Sequence, residues 1–330
     1  MAPVSNADPV YRLPPEVQRA FAELRDPRRV ELVPSGLSGA RVLRVEAPTG
    51  RYAVKACQQA QPDAARDAWV ASELSRANRR TPHMARPYTT LHGEPAFFQA
   101  GHSWQVRDWI EGSPATPATA DVAVRGLAAL HAAWSESTRV ADLPSTLPSI
   151  SPSIPPPPVF ATRLAALEAA ADDPVSATTL ETGARALAIK QMRRFAREVF
   201  AVQTVHGDAR PENARVREGK LAGWIDDGAL AVDTPWRDVA RLTGELADGD
   251  AAYRDQLVRV YAEASGTGDR APCELVGALD LAATVIAVSR WRGWLAGPDR
   301  ERWQEVGGIT RREALEWRLD RLLRASSSQG

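Results

Sequence analysis

The hydrophobic pattern of the chain changes abruptly near Gly112. Apart from a helical stretch at 62–80, residues 30–112 carry apolar side chains at positions that fit hairpin strands, including Val42, Val45, Tyr52 and Val54. Beyond Gly112, apolar residues recur every three or four positions, as on the buried stripe of a helix. Strands and helices are therefore segregated along the chain. The sequence predicts an α+β fold with a small β-rich N-terminal lobe and a mainly helical C-terminal lobe.

Within this pattern, three domain segments are predicted: an N-terminal extension over 1–28, an N-terminal lobe over 29–108 and a helical lobe over 109–330. Two helices are placed by apolar stripes, at Ala68, Ala71, Leu74 and Ala77, and at Ala123, Leu127, Leu130 and Trp134. Residues 143–158 form a Pro/Ser-rich insert that predicts a stiff surface crossing. A short β patch is predicted at 203–232.

The overall composition excludes several kinds of partner. The 41 Lys and Arg residues equal the 41 Asp and Glu residues, so the chain has no global field that would attract nucleic acid. Cys57 and Cys273 are too few for a disulfide framework. The N-terminus has neither the basic nor the apolar region of a signal peptide, and no run of 18 apolar residues occurs. We therefore expect a cytoplasmic protein without membrane partners.

The segment 205–226 carries the most informative arrangement of polar residues. Two short apolar strands flank Arg217–Lys220, with Gly219 at the turn, and predict a hairpin. Asp208 and Asn213 precede the hairpin and Asp226 follows it, so folding should bring two acids and an amide to one end. Phosphoryl transfer needs such a set: a carboxylate to orient and deprotonate a hydroxyl, and oxygen ligands for Mg²⁺ on a triphosphate.

This segment resembles the catalytic loop of the aminoglycoside phosphotransferase and choline kinase family. The eight residues His206–Asn213 fit its H-G-D-x-x-x-x-N pattern, a relative of the protein-kinase catalytic loop. The resemblance implies a protein-kinase-like two-lobe fold that uses ATP and Mg²⁺. It implies Asp208 as the catalytic base, Asn213 and Asp226 as metal ligands, and His206 and Asp238 as structural supports of the loop.

The chain departs from the family at Asp227. The residue after the metal-binding Asp is usually Phe or Trp, which packs inward. Asp227 is therefore expected either to face solvent, which the rarity of buried unpaired Asp favours, or to add a ligand or substrate contact.

The resemblance extends to the N-terminal strands. Lys55 ends the segment Tyr52–Lys55 and resembles the lysine that neutralises the α- and β-phosphates. Four small residues between two strands would let backbone N–H groups approach phosphate oxygens: Ser35, Gly36, Ser38 and Gly39. The acid that pairs with Lys55 is expected to be Asp67, with Glu73 as the alternative. Six residues separate these two acids, about 240° around a helix, so both cannot face Lys55.

The segment 107–112 resembles the connection between lobes that offers main-chain groups to adenine. Asp108 and Ile110 are the expected contact residues.

Together, the motifs predict a Mg²⁺-dependent kinase that phosphorylates a hydroxyl of a small metabolite or antibiotic. Residues 236–330 contain 15 Asp and Glu residues and 14 Arg residues. This near balance of charge disfavours a polycationic acceptor. The alternative is a catalytically weak nucleotide-binding regulator. A protein kinase is disfavoured because no A-P-E segment follows Asp226. The sequence leaves the oligomeric state open.

Overall fold

A computed structural model describes residues 12–33, 40–81, 83–135, 158–169, 179–196, 198, 200–267, 272–296, 313, 316–317 and 320–321. These residues belong to two compact units. The first contains the described residues up to 111 together with 223–225, and the second contains those of 112–222 and those from 226 onward. The predicted domain bounds at 28/29 and 108/109 stay a prediction.

The first unit is built on a six-stranded sheet. Its elements are α1 (Pro15–Ala20), β1 (Arg29–Val33), β2 (Arg41–Ala47), β3 (Gly50–Gln58), α2 (Ala64–Arg80), β4 (Pro87–Tyr88), β5 (Phe97–Gln99) and β6 (His102–Asp108). The strand order is β1-β2-β3-β6-β4, with β5 also on β6, and the pairs are antiparallel.

One face of this sheet packs on the N-terminal helix. Its buried side chains alternate along β2 and β3, where they are Leu43, Val45 and Ala47, and then Tyr52, Val54 and Ala56. Val17 and Phe21 complete the same apolar cluster. The two hairpin strands predicted from Val42, Val45, Tyr52 and Val54 are observed as β2 and β3. Val42 is only half-buried, because side chains three positions apart in a strand point to opposite faces.

The helix predicted over residues 62–80 is observed as α2, but its buried stripe is shifted from the predicted one. Leu74 and Ala77 are buried as expected, whereas Ala68 is exposed and Ala71 half-buried. Two acids take part in the buried face instead, Asp67 and Glu73. The small apolar residues misled the prediction, because alanine contributes too little burial to fix which face of a helix is covered.

The second unit is mainly helical. Its elements are β7 (Ser113–Pro114), α3 (Ala120–Ser135), α4 (Pro158–Ala169), α5 (Thr179–Phe195), β8 (Gln203–Val205), β9 (Ala214–Arg217), β10 (Lys220–Trp224), β11 (Ala231–Asp233), α6 (Trp236–Ala247), α7 (Ala251–Ala264) and α8 (Cys273–Ala296). The last two residues of β10, Gly223 and Trp224, are assigned to the first unit. All four residues of the stripe predicted for α3 are buried. The α+β class, with strands mostly before Gly112 and helices mostly after it, is confirmed.

The predicted hairpin is formed by β9 and β10. Glu218 and Gly219 make its turn with φ of 53° and 72°, the left-handed values that a two-residue hairpin turn needs at both central positions. β7 pairs with β9 beside it, and a Cβ at Gly112 would lie 2.8 Å from the carbonyl oxygen of Val216. Glycine is therefore required where β7 approaches the hairpin.

The predicted Pro/Ser-rich insert at 143–158 lies outside the described residues except for Pro158, which begins α4. Among the described residues, no helix is long and apolar enough to cross a membrane.

Candidate active site

A short antiparallel pair, β8 with β11, brings the two polar segments of the motif together. Val205 lies opposite Ala231, so the loop that begins at His206 leaves the pair where the turn after Asp226 enters it. Gly207 has φ of 80°, and a Cβ there would lie 1.9 Å from the carbonyl oxygen of Ala229. The loop thus crosses the turn at a distance that only glycine permits.

Asp208 and Asn213 are in direct contact. The Asn213 side-chain nitrogen lies 2.9 Å from the Asp208 carbonyl oxygen and 3.4 Å from its Oδ2. Asn213 ends a 3₁₀ turn, Pro211–Asn213, that folds the loop back toward Asp208. Because both Asp208 partners are oxygens, the amide must direct its NH₂ group at them, which leaves Oδ1 of Asn213 as the atom able to face a cation.

Asp226 follows β10 in an unusual backbone conformation. Its φ of 61° and ψ of 64° are left-handed, a region that non-glycine residues enter rarely and that Asp and Asn tolerate best. The 3₁₀ turn Asp227–Ala229 starts immediately after it. Such strain is typical of functional sites, where surrounding structure holds a side chain in one position.

Asp227 is buried, with 7% relative exposure. The prediction of a solvent-facing side chain is therefore wrong. Asp227 begins a 3₁₀ turn that ends at Ala229. Gly207 lies against the carbonyl oxygen of Ala229. The 3₁₀ turn therefore packs against the loop at Gly207.

Asp238, in the first turn of α6, holds the loop by its backbone. Its Oδ2 accepts hydrogen bonds from the N–H of His206 at 2.7 Å and from Nε2 of His131 at 3.1 Å. Its Oδ1 accepts one from the N–H of Gly207 at 2.9 Å. Burial disfavours the charged carboxylate, but the bond and charge of His131, with the charges of His206 and Arg237, hold the pKa of Asp238 below its ordinary value.

His131 extends this network away from the loop. Its Nδ1 lies 2.7 Å from the hydroxyl of Tyr261 on α7, and its backbone carbonyl accepts a hydrogen bond from Gln203 of β8 at 2.9 Å. Burial, and then the charge of Asp238, raise the pKa of Tyr261, so its hydroxyl stays protonated. Sequence reasoning missed both His131 and Tyr261, because each looks like an ordinary residue of an amphipathic helix.

Arginine residues surround the loop, and sequence reasoning missed these as well. Arg237 donates to the carbonyl of Gly207 and to Asp233, each at 3.2 Å. Arg210 and Arg241 each place Nε 3.1 Å from one oxygen of Glu245. Only the i,i+4 spacing of Arg237 with Asp233 and of Arg241 with Glu245 could have indicated two of these pairs.

The donor set around the loop fits a hard divalent cation. Among the described residues, no three His, Cys, Asp or Glu side chains converge on one metal position. A magnesium–nucleotide site does not need three, because Mg²⁺ keeps several waters and binds one or two carboxylates together with substrate phosphates. The available Oδ1 of Asn213 and the carboxylate held by the left-handed backbone of Asp226 are oxygen ligands of that kind.

In the first unit, Lys55 of β3 lies opposite Gln105 of β6, and directly opposed side chains share one face of a sheet. Gln105 donates to Asp67 at 2.9 Å, and Ser103 does so at 3.5 Å. Burial raises the pKa of Asp67, while the charge of Arg107 opposes the change. Asp67 therefore belongs to a polar group on the face that carries Lys55.

Glu73 is also buried, and it forms an ion pair with Arg76 at 3.0 Å. α2 buries both acids, and the expectation that they cannot both face Lys55 stays a prediction. The pairing of Lys55 with Asp67 rather than Glu73 stays a prediction.

Two other predicted contact regions have different outcomes. The N–H groups of Asp108 and Trp109 donate to the carbonyls of Arg86 and Arg51, each at 3.0 Å. Of the expected adenine contacts, Asp108 thus has its N–H already bonded within the unit, whereas Ile110 stays a prediction. The small-residue loop with Ser35, Gly36, Ser38 and Gly39 lies outside the described residues.

A model described as the phosphotransferase enzyme family matches residues 29–276. A comparison of the sequence with curated proteins finds no match. Among solved structures, an amicoumacin kinase in complex with AMP-PNP and Ca²⁺ is 12% identical, with a TM-score of 0.65 over 93% of this chain and 91% of that one.

Two further structures are similar over nearly their whole length. An aminoglycoside phosphotransferase from Alicyclobacillus acidocaldarius is 14% identical, with a TM-score of 0.60 over 99% of both chains. A spectinomycin phosphotransferase in complex with ADP and spectinomycin is 11% identical, with a TM-score of 0.57 over 95% of this chain and 92% of that one. At such low identity these similarities concern the fold, and they confirm the predicted protein-kinase-like class.

Proposed function

Because the chain belongs to the phosphotransferase enzyme family, we propose that it transfers the γ-phosphoryl group of ATP to a hydroxyl of a small molecule in a Mg²⁺-dependent reaction. One observation carries the proposal. Asp208 and Asn213 are hydrogen-bonded to each other on a loop whose backbone N–H groups are bonded by a fully buried carboxylate, Asp238. Catalysis of phosphoryl transfer is mostly positioning and electrostatics, so a fixed loop is its main requirement.

Asp208 is the proposed base. Its side chain is about one-third exposed, at 34%, so an acceptor can reach it. The carboxylate would accept a hydrogen bond from the acceptor hydroxyl and take its proton as that oxygen attacks the phosphorus. The bond between Asn213 and the Asp208 carbonyl fixes the backbone from which this carboxylate projects.

Asn213 and Asp226 would hold the magnesium ion. When bound, Mg²⁺ neutralises charge on the β- and γ-phosphates. Asn213 contributes a neutral amide oxygen and Asp226 a carboxylate, so the pair binds a cation without placing two like charges together. The left-handed backbone at Asp226 fixes the direction of its side chain before the nucleotide arrives.

The first unit is proposed to bind the nucleotide. Lys55 would neutralise the α- and β-phosphates, Asp67 would orient Lys55, and Ser35, Gly36, Ser38 and Gly39 would cover the phosphates. Asp108, through its carbonyl, and Ile110 would contact adenine. The AMP-PNP and ADP complexes of two structural neighbours support the use of a nucleotide.

The alternative is a catalytically weak nucleotide-binding regulator, for which the replacement of an aromatic residue by Asp227 argues. Against it, the complete set of Lys55, Asp208, Asn213 and Asp226 is retained, which a decayed site need not preserve.

The decisive experiment follows ADP release from Mg-ATP with sugars, amino alcohols, nucleosides and aminoglycosides as acceptors. With any acceptor that is turned over, we expect Asp208→Ala to lower kcat by about 10²- to 10⁴-fold, the usual value of a general base, while nucleotide binding persists. Asp121→Asn is the matched control, because Asp121 is an exposed acid on α3 that pairs with Arg125. Turnover by Asp208→Ala close to that of wild type would contradict the role of Asp208.

A further inference from the structure

Arg241 is placed beside the candidate base by the same helix that holds the loop. On α6, Asp238 bonds the loop backbone, and Arg241 follows three residues later on the same side of the helix. Its Nη2 atom lies 3.7 Å from Oδ1 of Asp208. The distance is that of an ion pair and is too long for a hydrogen bond. Arg241 therefore places positive charge beside Asp208 without using an N–H donor on it.

One N–H donor of Arg241 has no hydrogen-bond partner among the described residues. A guanidinium group has five N–H donors. Its Nε lies 3.1 Å from Glu245, yet this buried nitrogen makes no well-directed hydrogen bond to any described residue. Glu245 is shared with Arg210, whose Nε lies 3.1 Å from its other oxygen. One carboxylate therefore serves two guanidinium groups, and the Arg241 side chain keeps 21% exposure.

A third guanidinium adds to the local positive charge. Arg163 of α4 donates to the carbonyl of Leu279. Burial, followed by the charges of Arg237 and Arg241, lowers the pKa of Arg163 to about 9, while the charges of Asp233 and Asp280 oppose the change.

The geometry also limits where such an anion would sit. A hydroxyl bonded to Oδ1 of Asp208 would lie within about 3.2 Å of it, and hence within about 7 Å of the Arg241 guanidinium, given ordinary hydrogen-bond lengths. An anionic group a few bonds from that hydroxyl would reach Arg241. A cationic group in the same place would be repelled.

We propose that Arg241 selects the acceptor, and that the acceptor carries a carboxylate or phosphate close to the hydroxyl that is phosphorylated. This inference rests on the proposed function and narrows its substrate to an anionic hydroxy compound. It excludes a polycation as the preferred acceptor. A purely structural Arg241 would leave acceptor preference unchanged, and an Arg241 that contacts only the transferred phosphoryl group would affect charged and neutral acceptors equally.

The test compares acceptors that differ only in the anionic group. Glycerate is paired with glyceramide, glycerol 3-phosphate with glycerol, and kanamycin represents polycations, all at fixed ionic strength. We expect wild type to favour the anionic member of at least one pair by about 10- to 100-fold in kcat/KM, the value of a charge-assisted hydrogen bond. Arg241→Gln should abolish the preference and Arg241→Lys should retain part of it. The pair with the larger preference for its anionic member shows whether Arg241 recognises a carboxylate or a phosphate.

Arg254→Gln is the matched control, because Arg254 has similar side-chain exposure, 19%, and is paired with Asp255 on α7. It should behave as wild type. A wild-type preference for neutral or polycationic acceptors, or an anionic preference that survives in Arg241→Gln, would overturn the inference.

A binding measurement covers the case in which none of these acceptors is turned over. Malonate and inorganic phosphate are titrated with the non-hydrolysable nucleotide AMP-PNP and Mg²⁺ saturating, so that the nucleotide site is occupied. At least one anion should raise the unfolding temperature of wild type and Arg254→Gln but not that of Arg241→Gln; no shift, or an equal shift in all three, rejects the inference. Stabilisation by Mg-AMP-PNP itself is read separately, and its absence would count against the proposed function instead.

Discussion

Asp238 is a single buried carboxylate that holds the loop carrying Asp208. It has no solvent exposure and receives hydrogen bonds from His131, from the His206 N–H and from the Gly207 N–H. Each donor has a positive end directed at the carboxylate, so the charged form is stabilised although burial opposes it. The residue acts through the backbone of the loop and needs no contact with substrate.

Asp238→Asn is expected to destabilise the protein by about 3–5 kcal/mol at pH 7, the usual cost of breaking a buried charged pair. The pKa of Asp238 is lowered from 3.8 in the folded state, so its contribution is present above that value and is lost as the pH falls through the folded pKa. The difference from wild type in urea unfolding should therefore shrink below about pH 4. A gap that is constant or grows toward low pH would contradict this sign.

At the scale of elements, the loop is fixed by strand pairing and by one close crossing. β8 and β11 align Val205 with Ala231, and Gly207 then passes over the carbonyl of Ala229. A loop held at both its backbone and its crossing point presents Asp208 in one position. This rigidity is what a proposed catalytic base requires.

Gly207→Ala should therefore lower kcat more than the same substitution at a left-handed glycine elsewhere in the chain. The matched control is Gly219→Ala, because Gly219 has φ of 72° but no atom within 4 Å of an added Cβ. The control should cost about 1–2 kcal/mol of stability, the penalty for a left-handed alanine, with kcat unchanged. Gly207→Ala adds a steric overlap and should lower kcat by about 100-fold through displacement of the loop. Equal kcat values for the two variants would show that the crossing does not position Asp208.

Contacts between residues close in sequence could be predicted, whereas contacts between distant residues could not. Asp208 and Asn213 lie five residues apart, and their contact could be predicted because local spacing determines it. His131 and Asp238 are 107 residues apart, and a single sequence contains no signal for that pairing. Asp227 was misjudged because its burial is set by tertiary packing and not by the local sequence. The predicted buried face of α2 was wrong because the observed buried face includes two charged residues, Asp67 and Glu73.

For the whole molecule, ligand binding offers a readout that does not require knowledge of the acceptor. A ligand that binds only the folded chain stabilises it by about 2.7 kcal/mol at a concentration of 100 Kd. Because bound nucleotide stabilises only the folded chain, the unfolding transition of the full chain reports on binding. A comparison of ATP with Mg²⁺ and ATP with EDTA isolates the contribution of the metal.

Asp226→Asn should remove the Mg²⁺-dependent part of this stabilisation while the variant without ligand unfolds close to wild type. The reason is that Asn tolerates the left-handed backbone of Asp226, with φ of 61°, so the backbone is kept and only the charged ligand is lost. Asp248→Asn is the matched control, because Asp248 has a similar φ of 48° at the end of α6 and has no proposed role in metal binding. Thermal unfolding of the three proteins with and without Mg-ATP decides the matter: an undiminished magnesium effect in Asp226→Asn would remove Asp226 from the metal site, and a loss shared by Asp248→Asn would show that the assay reads the fold and not the ligand.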